Sequence, residues 1–246
     1  MPTPLLELRH LSRDFGENKA IDDISFKVFS GQVIGVAGPS GSGKSALFDI
    51  ICNTPNRLSK GELYFEGESI KHLPAHKINS LGIVRALKQE NMYDNLSALN
   101  NVLLAIESTP NALNLEARES LAEYALQMAR FPTALYSTHS SALSIFNQRQ
   151  LKIAIAIALK PKLLLIDTPT TNLTTQEITH MVDIILNIRN NGISILLAEH
   201  ALGLLLNTCE QILMLDKGKV ADNGSPKDVI STPNILETYL ETAIWR

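Results

Sequence analysis

Charged residues are scarce in this chain of 246 residues, since Asp, Glu, Lys and Arg make up only 19% of it, against about 25% in an ordinary soluble domain. The 22 basic and 25 acidic residues are scattered and give a formal net charge of −3. Such a balance offers no electrostatic footprint for a phosphate backbone, so we expect no nucleic-acid partner. Because 45% of the residues are hydrophobic, the chain can bury a sizeable core, which excludes disorder.

Cysteine and long apolar runs are scarce as well. The two cysteines, Cys52 and Cys209, have no metal-binding spacing, and a core of this size needs no disulfide, which favours a reducing cytosol. The longest apolar runs, 153–159 and 201–206, fall far below the ~18–20 residues that span a bilayer. We therefore expect no transmembrane segment. The start, MPTPLLELRHL, also lacks the pattern of a secretory signal.

Short apolar runs between helical patterns predict an α/β fold. Continuous apolar runs are typical of strands buried on both faces, as in a parallel sheet, and four are present: 33–37, 163–166, 194–198 and 212–215. Runs that mix apolar and polar residues are typical of antiparallel strands, and three are present: 5–8, 25–28 and 62–65. The pattern predicts an N-terminal antiparallel β flap before a parallel core.

The strand pattern disappears between residues 88 and 143. Residues 116–128 place Leu121, Tyr124, Ala125 and Met128 on one helical face, and residues 95–106 also have a helical pattern. We therefore expect a single domain, with residues 1–87 and 144–246 as its core and residues 88–143 as a helical subdomain inserted into it.

The strongest local signal is a G-x-x-x-x-G-K-[ST] motif, here called the phosphate loop. It follows the apolar run 33–37 and precedes an amphipathic segment, which is the strand–loop–helix order that nucleotide binding requires. Glycines let backbone N–H groups wrap around phosphates, Lys44 adds a charge, and Ser45 offers a hydroxyl to Mg²⁺. The motif comprises Gly38, Pro39, Ser40, Gly41, Ser42, Gly43, Lys44 and Ser45.

An acidic residue at the end of an apolar strand would complete a magnesium site. Asp167 follows the apolar run 163–166 and can hold the metal directly or through water. The alternative is that Asp167 only caps the turn before Pro169. The phosphate loop and Asp167 support each other, so ATP and Mg²⁺ are the expected cofactors.

The order of these motifs resembles the ATP-binding subunit of ABC transporters over nearly the whole chain. The resemblance implies a P-loop NTPase core, in which Gly38 to Ser45 is similar to the Walker A loop and Asp167 to the Walker B aspartate. It also implies that Phe15 stacks on adenine and that His200 is the switch histidine near the γ-phosphate. The tail, from GKVADNG onward, is similar to subunits of branched-chain amino-acid import and lipopolysaccharide export. Residues 82–85 favour the former branch and the short helical insertion the latter.

Two departures from the family pattern concern hydrolysis. Thr168 stands where the family has a glutamate that polarises the attacking water, so a general-base contribution of about 10²–10⁴-fold should be lost. The segment 143–147, here called the signature loop, reads Leu-Ser-Ile-Phe-Asn where the family has L-S-G-G-Q. Ile145 and Phe146 replace both glycines and should obstruct close backbone approach, whereas Ser144 remains a possible γ-phosphate donor.

Three further departures concern metal sensing and subunit contacts. The glutamine that senses magnesium aligns with Lys88, although a shift of one residue would let Gln89 fill the role. Thr174 stands where an aspartate or asparagine usually lies in a cross-subunit contact, and Ile155 replaces an arginine of the signature helix.

The resemblance implies two functional hypotheses. In the first, the chain binds MgATP, dimerises with a second ATP-binding subunit on the cytoplasmic face of the membrane, and couples hydrolysis to import through permease subunits. Branched-chain amino-acid import with weak hydrolysis is the expected case. In the second, the chain is a catalytically impaired, nucleotide-dependent partner or regulatory module. A soluble protein of DNA repair or translation is disfavoured, because the chain has one nucleotide domain and no coiled-coil insertion or basic linker.

Overall fold

The computed structural model describes residues 2–15, 18–53, 60–87, 92–109 and 113–231. Its strands, in chain order, are β1 Leu6–Phe15, β2 Asn18–Val28, β3 Val33–Ala37, β4 Lys60–Phe65, β5 Glu68–Ser69, β6 Ile83–Ala86, β7 Leu163–Asp167, β8 Ser194–Glu199, β9 Gln211–Asp216 and β10 Lys219–Gly224. Its helices are α1 Lys44–Ile51, α2 Ala75–Leu81, α3 Ala98–Glu107, α4 Leu115–Met128, α5 Ile145–Ala158, α6 Thr175–Asn190, α7 Leu202–Thr208 and α8 Pro226–Ser231.

The predicted antiparallel flap is a four-stranded sheet in the order β2-β1-β4-β5. Its first two strands are longer than the sequence pattern predicts, because the ladder is irregular. The β1–β2 register shifts between Leu8 and Leu11, and His10 adopts a φ of 52° between them. These bulges interrupt the alternation of apolar and polar residues on which the prediction depends.

The core sheet has six strands in the order β10-β9-β3-β8-β7-β6. The predicted parallel strands β3, β7, β8 and β9 are confirmed. β10 pairs antiparallel with β9 at the sheet edge, so the sheet is mixed. Every residue of β3 is buried, and its side chains divide between two hydrophobic clusters: Val33 packs in one, and Ile34 and Val36 in the other. The sheet therefore separates a helical layer from a layer that contains the flap and α1.

The region of the predicted insertion contains α3 and α4. Ser97 caps α3 by accepting a hydrogen bond from the Asn100 N–H at 3.2 Å. In α4 the buried face includes Ala122, Ala125 and Leu126, and the prediction that Tyr124 belongs to it is wrong, because Tyr124 is 46% exposed.

Thr174 has a local structural role at the start of α6. Its hydroxyl accepts from the Glu177 N–H while the Glu177 carboxylate accepts from the Thr174 N–H, which forms a capping box. Threonine is a favoured residue at this position. The threonine that departs from the family pattern thus stabilises a helix end.

Two expectations from composition concern cysteines and membrane spans. Cys52 and Cys209 are both buried, and burial raises the pKa of the Cys209 thiol to about 12. No helix within the described ranges has both the length and the apolar character needed to cross a bilayer.

Candidate functional site

The phosphate loop connects the buried strand β3 to the N-terminus of α1. Gly43 is the N-cap of α1 with a φ of 109°, and because glycine has no side chain, the first helical turn receives no side-chain cap. Backbone N–H groups at a helix start are an anion site when nothing else in the chain accepts from them. The loop therefore presents a helix N-terminus that is open to phosphate.

Glycine is required in the loop because other backbone segments approach it closely. A Cβ at Gly38 would collide with the Leu215 carbonyl oxygen and the Ser42 side chain. A Cβ at Gly43 would lie 2.7 Å from the Ala20 carbonyl oxygen. The Gly218 N–H also donates to the Ser42 carbonyl at 2.9 Å. The loop is thus fixed between the flap and the β9–β10 turn.

Lys44 points back into the loop that precedes it. Its Nζ donates to the carbonyl oxygens of Gly38 at 2.6 Å and Pro39 at 2.8 Å, and the residue is only 5% exposed. Burial lowers the pKa of Lys44 to about 8, against the opposing charges of Asp167 and Glu199. The amine is held where a phosphate could reach it.

His200 lies beside Lys44, although the two residues are far apart in the sequence. Its Nδ1 is 3.1 Å from the Gly38 carbonyl oxygen and 3.3 Å from Lys44 Nζ. A cavity of about 330 Å³ at this point is lined by loop residues together with Thr168 and His200. The structure therefore brings the phosphate loop, the predicted switch histidine and the degenerate catalytic position together.

Asp167 ends β7 beside this cavity, and Ser45 lines the cavity itself. The Asp167 carboxylate accepts through Oδ2 from Arg85 Nη2 at 2.5 Å. Its other oxygen, Oδ1, is buried without a hydrogen-bond partner among the described residues. An unsatisfied buried carboxylate oxygen suits a hard cation, so Ser45 and Asp167 fit Mg²⁺.

Thr168 occupies an unusual backbone conformation. Its φ is 46°, which is strained for a β-branched residue, and its N–H donates to the Ala198 carbonyl at 2.8 Å. The strand pairing thus holds the residue in place next to the cavity. A threonine hydroxyl has no basicity near neutral pH, so this position cannot take a proton from water.

Glu199 is a site residue that the sequence analysis missed. It is 1% exposed, and one carboxylate oxygen accepts from both the N–H and the hydroxyl of Thr170. The other oxygen accepts from the His200 N–H at 2.7 Å. Glu199 therefore joins the loop after Asp167 to His200. Like Asp167, it is an acidic residue that ends an apolar strand, and that signal could have found it.

Arg149 on α5 was also missed, and it holds the same loop from the other side. Its guanidinium donates to the Pro169 carbonyl at 2.7 Å and to the Thr171 carbonyl. The helix that follows the signature loop is thus tied to the loop that follows Asp167. The sequence gives no local signal for this contact, because both acceptors are backbone carbonyls.

The signature loop leads into α5, and Ser144 is the N-cap. The Ser144 hydroxyl accepts from the Asn147 N–H at 3.1 Å and donates to Asn147 Oδ1 at 2.8 Å. Ile145 is 56% exposed, and the Phe146 ring lies 6.1 Å from the His180 ring. Ser144 is not among the residues that line the phosphate cavity, so the structure does not bring it to the phosphate loop of its own chain.

Two predicted site features fall outside the described side chains. Phe15 is the last residue of β1 and pairs with Asn18 through the backbone, but its ring is not described. Lys88 and Gln89, the two candidates for magnesium sensing, lie outside the described residues.

Comparison with known proteins gives a family match and several curated relatives. Residues 21–171 match the family model described as ABC transporter. The lipopolysaccharide export ATP-binding protein LptB of Acidithiobacillus ferridurans is 28% identical over 96% of each chain. The branched-chain amino acid transport ATP-binding protein BraF of Pseudomonas aeruginosa is 28% identical over 99% of this chain and 100% of its own.

Solved structures share the fold. The ATP-binding cassette MJ1267 in its ADP conformation is 25% identical, has a TM-score of 0.86, and covers 97% of this chain and 99% of its own. The dimeric cassette MJ0796 bound to ADP and phosphate is 24% identical, with a TM-score of 0.79 over 90% of this chain and 98% of its own. The α/β P-loop fold with its antiparallel flap is thereby confirmed.

Proposed function

The chain belongs to the ABC transporter family as an ATP-binding subunit, and from that premise we propose that it binds MgATP tightly but hydrolyses it slowly. The observation that carries the proposal is the pairing of an open, lysine-bearing phosphate loop with a threonine at the water-activating position. Lys44 and Thr168 line one cavity. The same cavity therefore has the lysine needed to bind phosphate but lacks the base needed to activate water.

In the proposed binding mode, residues of the phosphate loop and of neighbouring strands contact different parts of MgATP. Phe15 stacks on adenine, the N–H groups of residues 38–45 cradle the phosphates, and Lys44 neutralises their charge. Ser45 and Asp167 would hold Mg²⁺, which when bound supplies positive charge beside the phosphate oxygens. His200 lies close enough to Lys44 to contact the outermost phosphate.

Slow hydrolysis follows from two features. Thr168 can hold a water but cannot remove its proton, so about 10²–10⁴-fold of rate is lost. In this family a composite site takes the phosphate loop of one subunit and the signature loop of the other. The signature-loop backbone of one subunit has to approach the phosphate held by the other subunit. The exposed Ile145 side chain of that signature loop would obstruct this approach. In a homodimer both sites lack the base and the glycines, and with an intact partner each site lacks one of them.

The subunit would work with a permease on the inner face of the membrane. A groove of about 560 Å³ between the sheet core and the helical region is lined by Arg85, Tyr93, Leu104 and Ile155, among other residues. Tyr93 is 61% exposed there, so the groove offers an aromatic contact to a docking segment. We propose that this groove receives the permease.

Branched-chain amino-acid import is the proposed transport process. Support comes from the match to BraF along nearly the full length of both chains. Relatives named for lipopolysaccharide export and, in Geobacillus stearothermophilus, for glutamine transport match at similar identity. Thr168 favours a second candidate, a nucleotide-dependent regulatory module with little turnover in the same complex.

The test separates binding from turnover. Calorimetric titration with MgATP should show binding by the wild type and by a control, Lys77→Ala, which removes an exposed lysine of α2, and no detectable binding by Lys44→Ala. Unchanged affinity in Lys44→Ala would refute the assignment. Hydrolysis is then compared among the wild type, Thr168→Glu and the neutral isostere Thr168→Gln, with and without the permease. Equal rates in the wild type and Thr168→Glu at a high level would refute slow hydrolysis.

The transport process is tested in cells. Uptake of labelled leucine should fall when Lys44→Ala replaces the wild-type subunit, and the wild-type subunit should co-purify with the permease. Unchanged leucine uptake would argue against branched-chain import without affecting the binding proposal.

A further inference from the structure

Arg85 is a buried cation shared by two carboxylates. It lies on β6, and its guanidinium donates through Nη1 to Asp49 at 2.6 Å and through Nη2 to Asp167 at 2.5 Å. The side chains of Arg85, Asp49 and Asp167 are only 10%, 29% and 13% exposed. Charges this well shielded from water interact more strongly than surface pairs.

This arrangement matters because Asp167 is the carboxylate proposed to hold Mg²⁺. One oxygen of Asp167 already faces Arg85, and only Oδ1 is left without a hydrogen-bond partner among the described residues. A guanidinium and a divalent cation on one carboxylate repel each other. Full use of Asp167 by a metal therefore favours withdrawal of Arg85.

Asp49 provides a second carboxylate that can keep Arg85 paired when Asp167 binds a metal. It lies on α1, which begins at the phosphate loop, and it accepts from a different nitrogen of the same guanidinium. If the bond to Asp167 breaks, the buried charge keeps a carboxylate partner and avoids the large cost of an unpaired buried cation. Burial lowers the pKa of Arg85, but its bonds to Asp167 and Asp49 outweigh burial and raise it overall, so the cation stays charged.

We propose that Arg85 is a positioning residue that holds Asp167 until a magnesium–nucleotide complex arrives and then remains on Asp49. This inference rests on the proposed binding of MgATP. Arg85 acts through Asp167 and does not touch the nucleotide. Because Arg85 also lines the groove, this exchange takes place at the floor of the surface proposed to receive the permease.

The test measures ATP affinity twice, with excess Mg²⁺ and with EDTA, and takes the ratio of the two as the magnesium enhancement. Arg85→Gln should raise the enhancement about tenfold, within the range typical of coupling between two sites, because Mg²⁺ then no longer competes with Arg85 for Asp167. Asp49→Asn should lower it, because Arg85 then loses the Asp49 carboxylate and holds Asp167 more firmly.

Arg9→Gln is the matched control, because Arg9 also pairs with a carboxylate, that of Glu7 at 2.8 Å, but on the flap. Its enhancement should equal that of the wild type. If Arg85→Gln fails to fold, Asp49→Asn and Arg85→Lys, which keeps the charge but loses the two-pronged contact, carry the test. Folded variants with normal ATP binding and an unchanged enhancement would overturn the inference alone. Absence of ATP binding by the wild type in both conditions would overturn the proposed function and the inference with it.

Discussion

The phosphate loop and the signature loop each lead into a helix N-terminus, and they present those termini in opposite ways. The phosphate loop reaches α1 through Gly43 without a side-chain cap. The signature loop reaches α5 through Ser144, whose hydroxyl accepts from the Asn147 N–H, and it exposes Ile145. An anion site requires a helix start that no side chain caps or covers, and of these two loops the phosphate loop alone meets both conditions.

The largest expected effect comes from a substitution that disrupts the phosphate loop. Gly38→Val should weaken MgATP affinity about 100-fold, because moving the loop away from the Leu215 carbonyl and Ser42 costs about 2–3 kcal/mol and each 1.4 kcal/mol is tenfold. Ile145→Gly should change the affinity of the isolated subunit less than about twofold. Calorimetric titration checks both, and similar losses in the two variants would contradict the contrast between the loops.

The next largest effect comes from substitutions that restore the missing base at residue 168 and the missing glycines of the signature loop. Thr168→Glu should raise the rate of phosphate release up to about 10²-fold. Adding Ile145→Gly and Phe146→Gly should raise it by about a further tenfold, because backbone donors that reach a transferring phosphoryl group are worth that much or more. The same loop changes on a Thr168→Gln background supply the control. If the glycines help equally without the glutamate, the two defects are independent of each other.

A smaller effect concerns Glu199, whose carboxylate holds Thr170 and His200 beside the phosphate cavity. Glu199→Ala leaves the Thr170 and His200 N–H donors without their acceptor, and the free energy of unfolding should fall by about 2–4 kcal/mol. Glu199→Gln, which keeps one acceptor oxygen, should lose less. Urea unfolding measures both. Glu66→Ala is the control, since the exposed pair of Glu66 with Lys162 at 2.7 Å should contribute at most about 1 kcal/mol.

The smallest effect appears in the pH dependence of stability. Burial of Lys44 lowers its pKa from 10.5 to about 8, so below pH 8 the folded chain carries the full cost of a buried charge. Between pH 8 and 10.5 the folded chain releases the proton that the unfolded chain keeps, and stability rises. Lys44→Met should therefore be more stable than the wild type at pH 7, with a smaller advantage at pH 10. A constant difference in urea unfolding would contradict this.

The sequence predicts much of the sheet because burial on both faces leaves a continuous apolar run. β3 has the predicted bounds, Val33–Ala37, and β7 to β9 are each slightly longer than their apolar runs. β10 was not predicted, because its residues alternate between exposed and partly buried positions at the sheet edge. β6 was missed because its four residues form too short a run and include the charged Arg85.

The site could be predicted only where its chemistry is local. The phosphate loop and Asp167 are recognisable from residues next to each other in the chain, and His200 from its place in the motif order. Glu199 could have been found as a second acidic residue that ends an apolar strand. Arg85 and Arg149 act across strands and helices, on partners that tertiary packing selects. No spacing along the chain encodes such contacts.

The contacts that the β9–β10 turn makes with the phosphate loop also affect when this loop can fold during synthesis. The loop leaves the ribosome well before the Leu215 carbonyl and the Gly218 N–H that help to fix it, because those groups lie much later in the sequence. Domains acquire structure as they leave the ribosome, but this loop has only the flap beside it until the β9–β10 turn exists. We therefore expect ATP to protect a chain that contains the β9–β10 turn from proteolysis, and to protect less a chain that stops before residue 215.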